Sequence, residues 1–208
     1  MSLPNLRLAA ARLAVPPRAR LQALEELFAR TAAAFGSPVP PPRGRGPAAR
    51  LAEYASFTRE RAEEELAESA LAEEALARST GGGTSGGTAA GGDPAALSAL
   101  ERRLYRVARG LGGRYRLRLG VRSTAEALAA ARLIYRGLGI DFRGSADGEI
   151  VIRRCFFATY YTPPVCALVS ALDRGLMAGL AGGGELCFRQ RITEGACCCR
   201  AHFEAGSS

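Results

Sequence analysis

The sequence of 208 residues contains no lysine, and all 28 of its basic residues are arginine. Alanine and glycine are abundant, so the bias fits a G+C-rich genome better than phosphate recognition. The arginines are also not interleaved with aromatic residues, as a stacking platform for nucleic acid requires. Nucleic acid is therefore not an expected partner, although the formal net charge is +8.

Long apolar runs are also missing. No run approaches the roughly 18 consecutive residues of a membrane-spanning helix, because arginine interrupts each of them. The N-terminal stretch MSLPNLRLAAARLAVPPRAR lacks the continuous apolar segment of a secretory signal. We therefore expect a cytoplasmic protein without a membrane segment. In that compartment thiols stay reduced instead of pairing as disulfides.

Several motifs of common enzymes and metal proteins are absent. The single histidine, His202, and the lack of an elbow motif around any serine argue against Ser–His–Asp catalysis. The glycine-rich stretches do not have the spacing of a phosphate loop, and there is no CxxC pair. Nucleotide binding and a standard zinc-ligand spacing are therefore disfavoured.

Charge and composition divide the chain into four predicted segments. The first fifty residues carry eight arginines against Glu25 and Glu26, whereas the next segment carries eight glutamates against three arginines. The first predicted segment, 1–50, is basic and contains a helix at Leu21–Phe35 and a Pro-rich linker at 38–47. An acidic helix follows over 51–78, and then a flexible Gly-rich tether over 79–92. The last predicted segment is an α+β ligand-binding domain over 93–205.

The last segment has the clearest periodicity. A helix begins at Pro94 and should end at Gly110, Gly112 and Gly113. The strict alternation over Arg114–Leu119 then predicts a half-buried strand, and Ser123 with Glu126 has capping-box spacing. The remaining predicted elements are strands at Ile140–Arg143, Glu149–Phe157, Glu185–Thr193 and Cys197–Phe203, and a helix from Pro163 to the glycines at 182–184.

The resulting order is α-β-α-β-β-α-β-β, in which antiparallel hairpins dominate. We therefore predict an α+β fold: a mainly antiparallel sheet with helices packed on one face, preceded by a helical N-terminal region.

All six cysteines fall in the last quarter of the chain. We expect Cys155, Cys166 and one of Cys198 or Cys199 to meet in one pocket. Three interpretations stay open: buried core thiols, a zinc or iron–sulfur site, and a reactive nucleophile at the helix start, where the pKa of a thiol falls. The candidate metal ligands are Cys155, Cys166, Cys198 and Cys199.

Asp173 shares one helical stripe with Cys166, and a carboxylate on a mostly apolar stripe is unusual. It either pairs with an arginine such as Arg153, Arg154 or Arg189, or it is buried and acts as a general acid or base. The candidate catalytic residues are Asp173 and Cys166.

Gln190 interrupts the apolar face of its predicted strand. It could bind a ligand or be satisfied by neighbouring backbone. The candidate ligand-binding residues are Tyr161, Gln190, Arg191 and His202.

The C-terminal quarter also carries Cys155-Phe-Phe, Phe188-Arg-Gln190, Thr193-Glu-Gly195 and Cys199-Arg-Ala-His-Phe203. With Cys166 and Asp173, this run resembles the C-terminal part of the L-2-amino-thiazoline-4-carboxylic acid hydrolase-like family. More distantly, it is similar to vinyl-reductase-type ligand-binding domains.

The first resemblance implies a hydrolase of a small cyclic amidine acid, in which Asp173 assists the attack of water on the C=N carbon and Arg191 holds the carboxylate. The second implies a domain that binds a hydrophobic molecule or a metal, zinc or an iron–sulfur cluster, without chemistry. A small molecule is the expected ligand, and a homodimer is a further expected association that the sequence leaves open.

Overall fold

The computed structural model describes Leu8, residues 16–79 and residues 94–206 of the chain. The predicted Gly-rich tether at 79–92 falls outside the described residues, apart from Ser79 at the end of a helix. The described helices are α1 (Pro17–Ala34), α2 (Pro47–Ser79), α3 (Pro94–Leu119), α4 (Thr124–Gly137) and α5 (Pro163–Ala181). The strands are β1 (Phe142–Gly144), β2 (Glu149–Ile152), β3 (Glu185–Gln190) and β4 (Cys199–Glu204).

The four strands form one antiparallel sheet in the order β1-β2-β4-β3. Alternate residues of each strand face the helices. On β4, for example, Cys199, Ala201 and Phe203 are buried, whereas Arg200 and Glu204 are exposed. The predicted α+β class, with a helical N-terminal region and helices on one face of an antiparallel sheet, is confirmed.

One predicted strand is wrong. Arg114–Leu119 is the last part of α3, because the glycines at 110, 112 and 113 do not end that helix. Gly112 instead lies against the backbone of Leu176 and Gly179 in α5, and Gly175 meets the Tyr105 carbonyl in return. Small residues let the two helices approach closely, so these glycines serve packing instead of termination.

Other boundaries differ less. The predicted strand Glu149–Phe157 ends at Ile152, and its last residues belong to a 3₁₀ turn at Phe156–Thr159. Likewise Cys197 and Cys198 precede β4 instead of forming its start. The predicted cap of α4 is present, since Ser123 Oγ accepts a hydrogen bond of 3.3 Å from the Glu126 N–H.

The N-terminal helices and the sheet share one hydrophobic core. Phe28 of α1 packs edge-on against Tyr54 of α2, with 5.3 Å between the ring centroids, and Tyr54 packs against Phe157 at 5.9 Å. The buried Arg50 joins α2 to α1 through an ion pair of 2.8 Å with Glu25. Residues on both sides of the predicted boundary near 92 therefore contribute to the same interior.

Helix α5 runs through this core. By length and composition it is apolar enough to cross a membrane, with a hydropathy of 1.3, and it is the one described helix with this property. However, 67% of that stretch is buried inside the molecule, as is usual for a central core helix. Its end is defined by Gly182, which takes a left-handed conformation with φ of 86°.

Candidate functional site

A cavity of about 810 Å³ lies between the sheet and helices α1, α3, α4 and α5. Its volume falls within the range of roughly 300 to 1,000 Å³ that is typical of small-molecule sites. Aliphatic side chains from these helices form most of its wall. They include Leu24, Leu27, Leu111, Leu133, Leu172 and Leu176.

The cavity wall includes six of the residues that the sequence singled out. Asp173 and Cys166 project from α5, and Tyr161 precedes that helix. Cys155 follows β2, whereas Arg191 and Cys199 come from the end of β3 and the start of β4. Cys155, Cys166 and Cys199 thus line the same cavity as Asp173, with Cys199 as the third thiol. A close approach of the three thiols stays a prediction. Their functional roles remain predictions.

Asp173 has no arginine partner within ion-pair distance among the described residues, so the predicted pairing with Arg153, Arg154 or Arg189 is wrong. Arg189 instead pairs with Glu149 at 3.2 Å on the other face of the sheet. The Asp173 carboxylate accepts a hydrogen bond of 2.7 Å from the Tyr135 hydroxyl. Burial raises its pKa from 3.8 to about 6, although Tyr135, Arg191 and Arg174 oppose the shift.

Tyr135 is a cavity residue that none of the sequence motifs singles out. Its ring is 2% exposed and stacks on Phe142, with the ring centroids 4.9 Å apart. The signal was present, because Leu128, Ala131 and Tyr135 follow one another at helical spacings of three and four on α4. That spacing places the hydroxyl on the buried face, where a polar atom needs a partner.

The thiols at the cavity are not activated. Burial raises the pKa of Cys155 to about 12, and burial likewise raises the pKa values of Cys166 and Cys199. The expected lowering of the Cys166 pKa at the start of α5 is not found, because desolvation outweighs the lowering effects of a Thr193 hydrogen bond and the Arg191 charge.

No group of three or more His, Cys, Asp or Glu side chains in the described chain has a geometry that could hold a metal ion. Cys198 is buried but does not line the cavity. A zinc or iron–sulfur site at Cys155, Cys166, Cys198 and Cys199 stays a prediction, and the arrangement of the thiols does not favour it.

Two candidate ligand-binding residues lie outside the cavity. The Gln190 side chain donates a hydrogen bond of 3.0 Å to the Cys198 carbonyl, which matches the alternative that neighbouring backbone satisfies it. His202 points to the outer face of the sheet, where its Nδ1 lies 3.0 Å from Glu149 Oε1. The period of two along β4 explains this position, because His202 alternates with the buried Ala201 and Phe203.

Two polar groups at the cavity wall have unused hydrogen-bonding capacity. The Tyr161 hydroxyl is buried and makes no hydrogen bond within the described chain. The Arg191 Nε is also buried without a partner, while its terminal nitrogen pairs with Glu194 at 3.1 Å. A ligand acceptor could satisfy either donor.

The arrangement is thus an apolar chamber with a few polar groups at its inner end. Such a chamber can bind a small molecule, and the Asp173 carboxyl group can accept or release a proton near neutral pH. The chain matches no protein-family model, no curated protein and no solved structure.

Proposed function

We propose that this chain is a ligand-binding domain that holds a small, mostly apolar molecule in the central cavity. The observation that carries the proposal is the cavity itself, which measures about 810 Å³ and has predominantly aliphatic walls. Removing an apolar molecule from water into such a chamber is favourable by about 25 cal/mol per Å² of buried surface. The resemblance to vinyl-reductase-type domains implies the same class of function.

Cavity filling tests this proposal. Val169 lies on the cavity wall, so Val169→Phe would occupy part of the space that a ligand needs. We expect the intact protein to enhance the fluorescence of 8-anilino-1-naphthalenesulfonate. The substitution should weaken that binding about tenfold, or about 1.4 kcal/mol.

Val151→Phe is the matched control, because Val151 faces the opposite side of the sheet and does not line the cavity. It should leave dye binding unchanged. An unaltered affinity in Val169→Phe, or no enhancement by the intact protein, would contradict the proposal.

Hydrolysis of a cyclic amidine acid is a second candidate, and Asp173 favours it. A carboxyl group with a pKa of about 6 on a cavity wall suits a general base. In this reaction the water oxygen bonds to the C=N carbon, and the C=N electron pair moves to the ring nitrogen. The tetrahedral adduct then collapses to a C=O group as the bond from that carbon to the ring nitrogen breaks. The two protons that water loses would pass through Asp173 to that nitrogen, which leaves as an amine, while Arg191 would hold the substrate carboxylate.

The hydrolase candidate is tested by incubating the protein with 2-amino-thiazoline-4-carboxylate and following products by mass spectrometry. Turnover should rise as the pH passes through about 6, because the base form of Asp173 is required, and should be lost in Asp173→Asn. Absence of turnover across that pH range would remove this candidate and leave the binding function unaffected.

A further inference from the structure

The cavity opens where the start of α1 meets the ends of α3 and α4. The lining residues that are exposed to solvent all lie there: Ala19 and Gln22 of α1, Arg118 of α3 and Arg136 of α4. Arg20 of α1 also lines this end, where its Nε donates a hydrogen bond of 2.7 Å to the Gly137 carbonyl. The mouth therefore carries three guanidinium groups from three helices.

The mouth arginines differ from Glu26 and Arg191, two other charged residues of the cavity wall. Glu26 pairs with Arg30 at 3.3 Å and with Arg114, and Arg191 pairs with Glu194. By contrast, none of Arg20, Arg118 and Arg136 takes part in an ion pair within the described ranges. Positive charge at the mouth is thus uncompensated by the protein and available to an anion.

The inner end of the cavity has the opposite character. Asp173 is its charged group without an ion-pair partner. Burial and the nearby Asp173 carboxylate raise the pKa values of Tyr54 and Tyr161, so these two side chains share this end of the cavity with it. An anion placed there would meet a carboxylate in surroundings of low dielectric constant, where repulsion is strong. The two ends of the cavity therefore favour a ligand with its charge at the mouth.

We propose that the cavity takes a single-chain amphiphile whose anionic head lies among Arg20, Arg118 and Arg136 and whose apolar tail extends between the leucines toward α5. This inference rests on the proposed ligand-binding function and adds the class and orientation of the ligand. Guanidinium groups bind sulfate, phosphate and carboxylate heads through paired N–H donors, so the shared chemistry is an oxyanion on an aliphatic chain.

Three probes with the same ten-carbon tail and different head groups distinguish the contribution of the head group to affinity from that of the tail. Decyl sulfate and decyltrimethylammonium below their micelle-forming concentrations, and 1-decanol below its solubility limit, should displace the naphthalenesulfonate dye. The expected order of affinity is decyl sulfate, then decanol, then decyltrimethylammonium. We expect decyl sulfate to bind about tenfold more tightly than decanol because the mouth arginines attract its sulfate. A tenfold difference in Kd corresponds to about 1.4 kcal/mol of binding free energy.

The double variant Arg118→Gln/Arg136→Gln should reduce that preference to about threefold or less while leaving decanol affinity unchanged. Arg102→Gln/Arg122→Gln is its control, because both residues are exposed, carry the same charge and lie outside the cavity lining. This control should retain the full preference for the sulfate.

The outcomes distinguish the two proposals. Equal displacement by decyl sulfate and decanol would overturn the assigned orientation and leave the apolar binding function standing. Failure of all three probes would overturn both. A preference that survives Arg118→Gln/Arg136→Gln, or that falls equally in the control, would assign the effect to net charge and overturn the role of the mouth arginines.

Discussion

Asp173 lies on the cavity wall with one hydrogen bond, from Tyr135, and no ion pair in the described chain. Its pKa is about 6 in the folded protein against an ordinary value of 3.8. The folded state therefore binds a proton more tightly than the unfolded state, so this group favours folding below about pH 4 and loses that contribution as the pH rises through about 6.

Asp173→Asn should stabilise the protein at pH 7, because it removes a charge whose burial is unfavourable and keeps an oxygen that accepts from Tyr135. A pKa difference of about two units corresponds to at most about 3 kcal/mol, and partial contact with the cavity reduces the expected gain to about 1 to 2 kcal/mol. Urea unfolding at several pH values measures it, and the gain should vanish below about pH 4.

Asp147→Asn is a control, because the pKa of Asp147 is shifted in the direction opposite to that of Asp173. Hydrogen bonds from Ser145 and from the Glu149 N–H lower the pKa of Asp147, so its contribution is present above the ordinary pKa and is lost in acid. Its replacement should not stabilise the protein at pH 7. Destabilisation by Asp173→Asn at that pH would instead show that the carboxylate has a favourable partner, and would contradict the description of an unpaired group.

The cysteines should react in an order set by exposure. Cys187 and Cys197 are exposed, whereas the high pKa values of Cys155 and Cys166 leave almost no thiolate near neutral pH. Iodoacetamide labelling followed by peptide mass spectrometry should modify the exposed pair at least about tenfold faster. Rapid labelling of Cys166 in the folded protein would revive the nucleophile interpretation.

Sequence patterns identified part of the candidate site. The helical stripe that joins Cys166 to Asp173 is a local property, so periodicity was sufficient to place both on one face. The contact between Tyr135 and Asp173 joins residues 38 positions apart, which no local pattern specifies. His202 is a different case: its residue type suggested a ligand-binding role, whereas the alternation of β4 places it on the outer face of the sheet.

At the scale of elements, the packing of α3 on α5 depends on glycine. An added Cβ at Gly112 would collide with the backbone of Leu176 and Gly179, whereas one at Gly110 would meet no atom within 4 Å. The two positions belong to the same helix and share its propensity. Comparing alanine substitutions at Gly110 and Gly112 therefore distinguishes the effect of helix packing on stability from the effect of backbone entropy.

Gly112→Ala should destabilise the protein by about 1 to 3 kcal/mol, since the helices must separate to accommodate the methyl group. Gly110→Ala should stabilise it by about 0.5 to 1 kcal/mol, because alanine loses less entropy in a helix. Thermal and urea unfolding measure both values. Equal effects of the two substitutions would contradict a close contact between the helices at Gly112.

The end of α3 shows why its sequence pattern was ambiguous. Alternation predicted a strand with Tyr115, Leu117 and Leu119 on one face. Leu111, Tyr115 and Leu119 also recur every four residues, and in the structure they pack against the core while Leu117 is 76% exposed. A helix places residue 117 on the opposite side. A segment as short as Arg114–Leu119 is compatible with both the strand period of two and the helical period of 3.6. Only tertiary packing could therefore decide whether it is a strand or a helix.

At the scale of the whole molecule, the predicted boundary near residue 92 does not separate two interiors. Composition changes sharply there, which is a property of the connecting chain and does not report where the flanking helices pack. The contact of Tyr54 with Phe157 and the shared cavity wall of α1, α4 and α5 depend on residues far apart in sequence. The fold class was predictable, but this docking was not.

A shared core should unfold in one cooperative transition. The chain contains no tryptophan, so single reporters can be introduced at Phe57→Trp in α2 and Phe156→Trp in the 3₁₀ turn. Both positions are partly buried and pack against the core. Fluorescence should give the same urea midpoint for each reporter as circular dichroism of that variant. An earlier midpoint at Phe57→Trp would indicate that the N-terminal helices unfold independently.

The position of the cavity between the N-terminal helices and the sheet has a thermodynamic consequence for any occupant. Helix α1 supplies one wall, so the binding-competent chamber exists only while that helix is docked. By mass action, a molecule that enters the chamber stabilises the docked state by RT ln(1 + [L]/Kd) and is released when α1 departs. Ligand occupancy of the cavity and the docking of α1 are therefore thermodynamically coupled, so that a change in either one shifts the other.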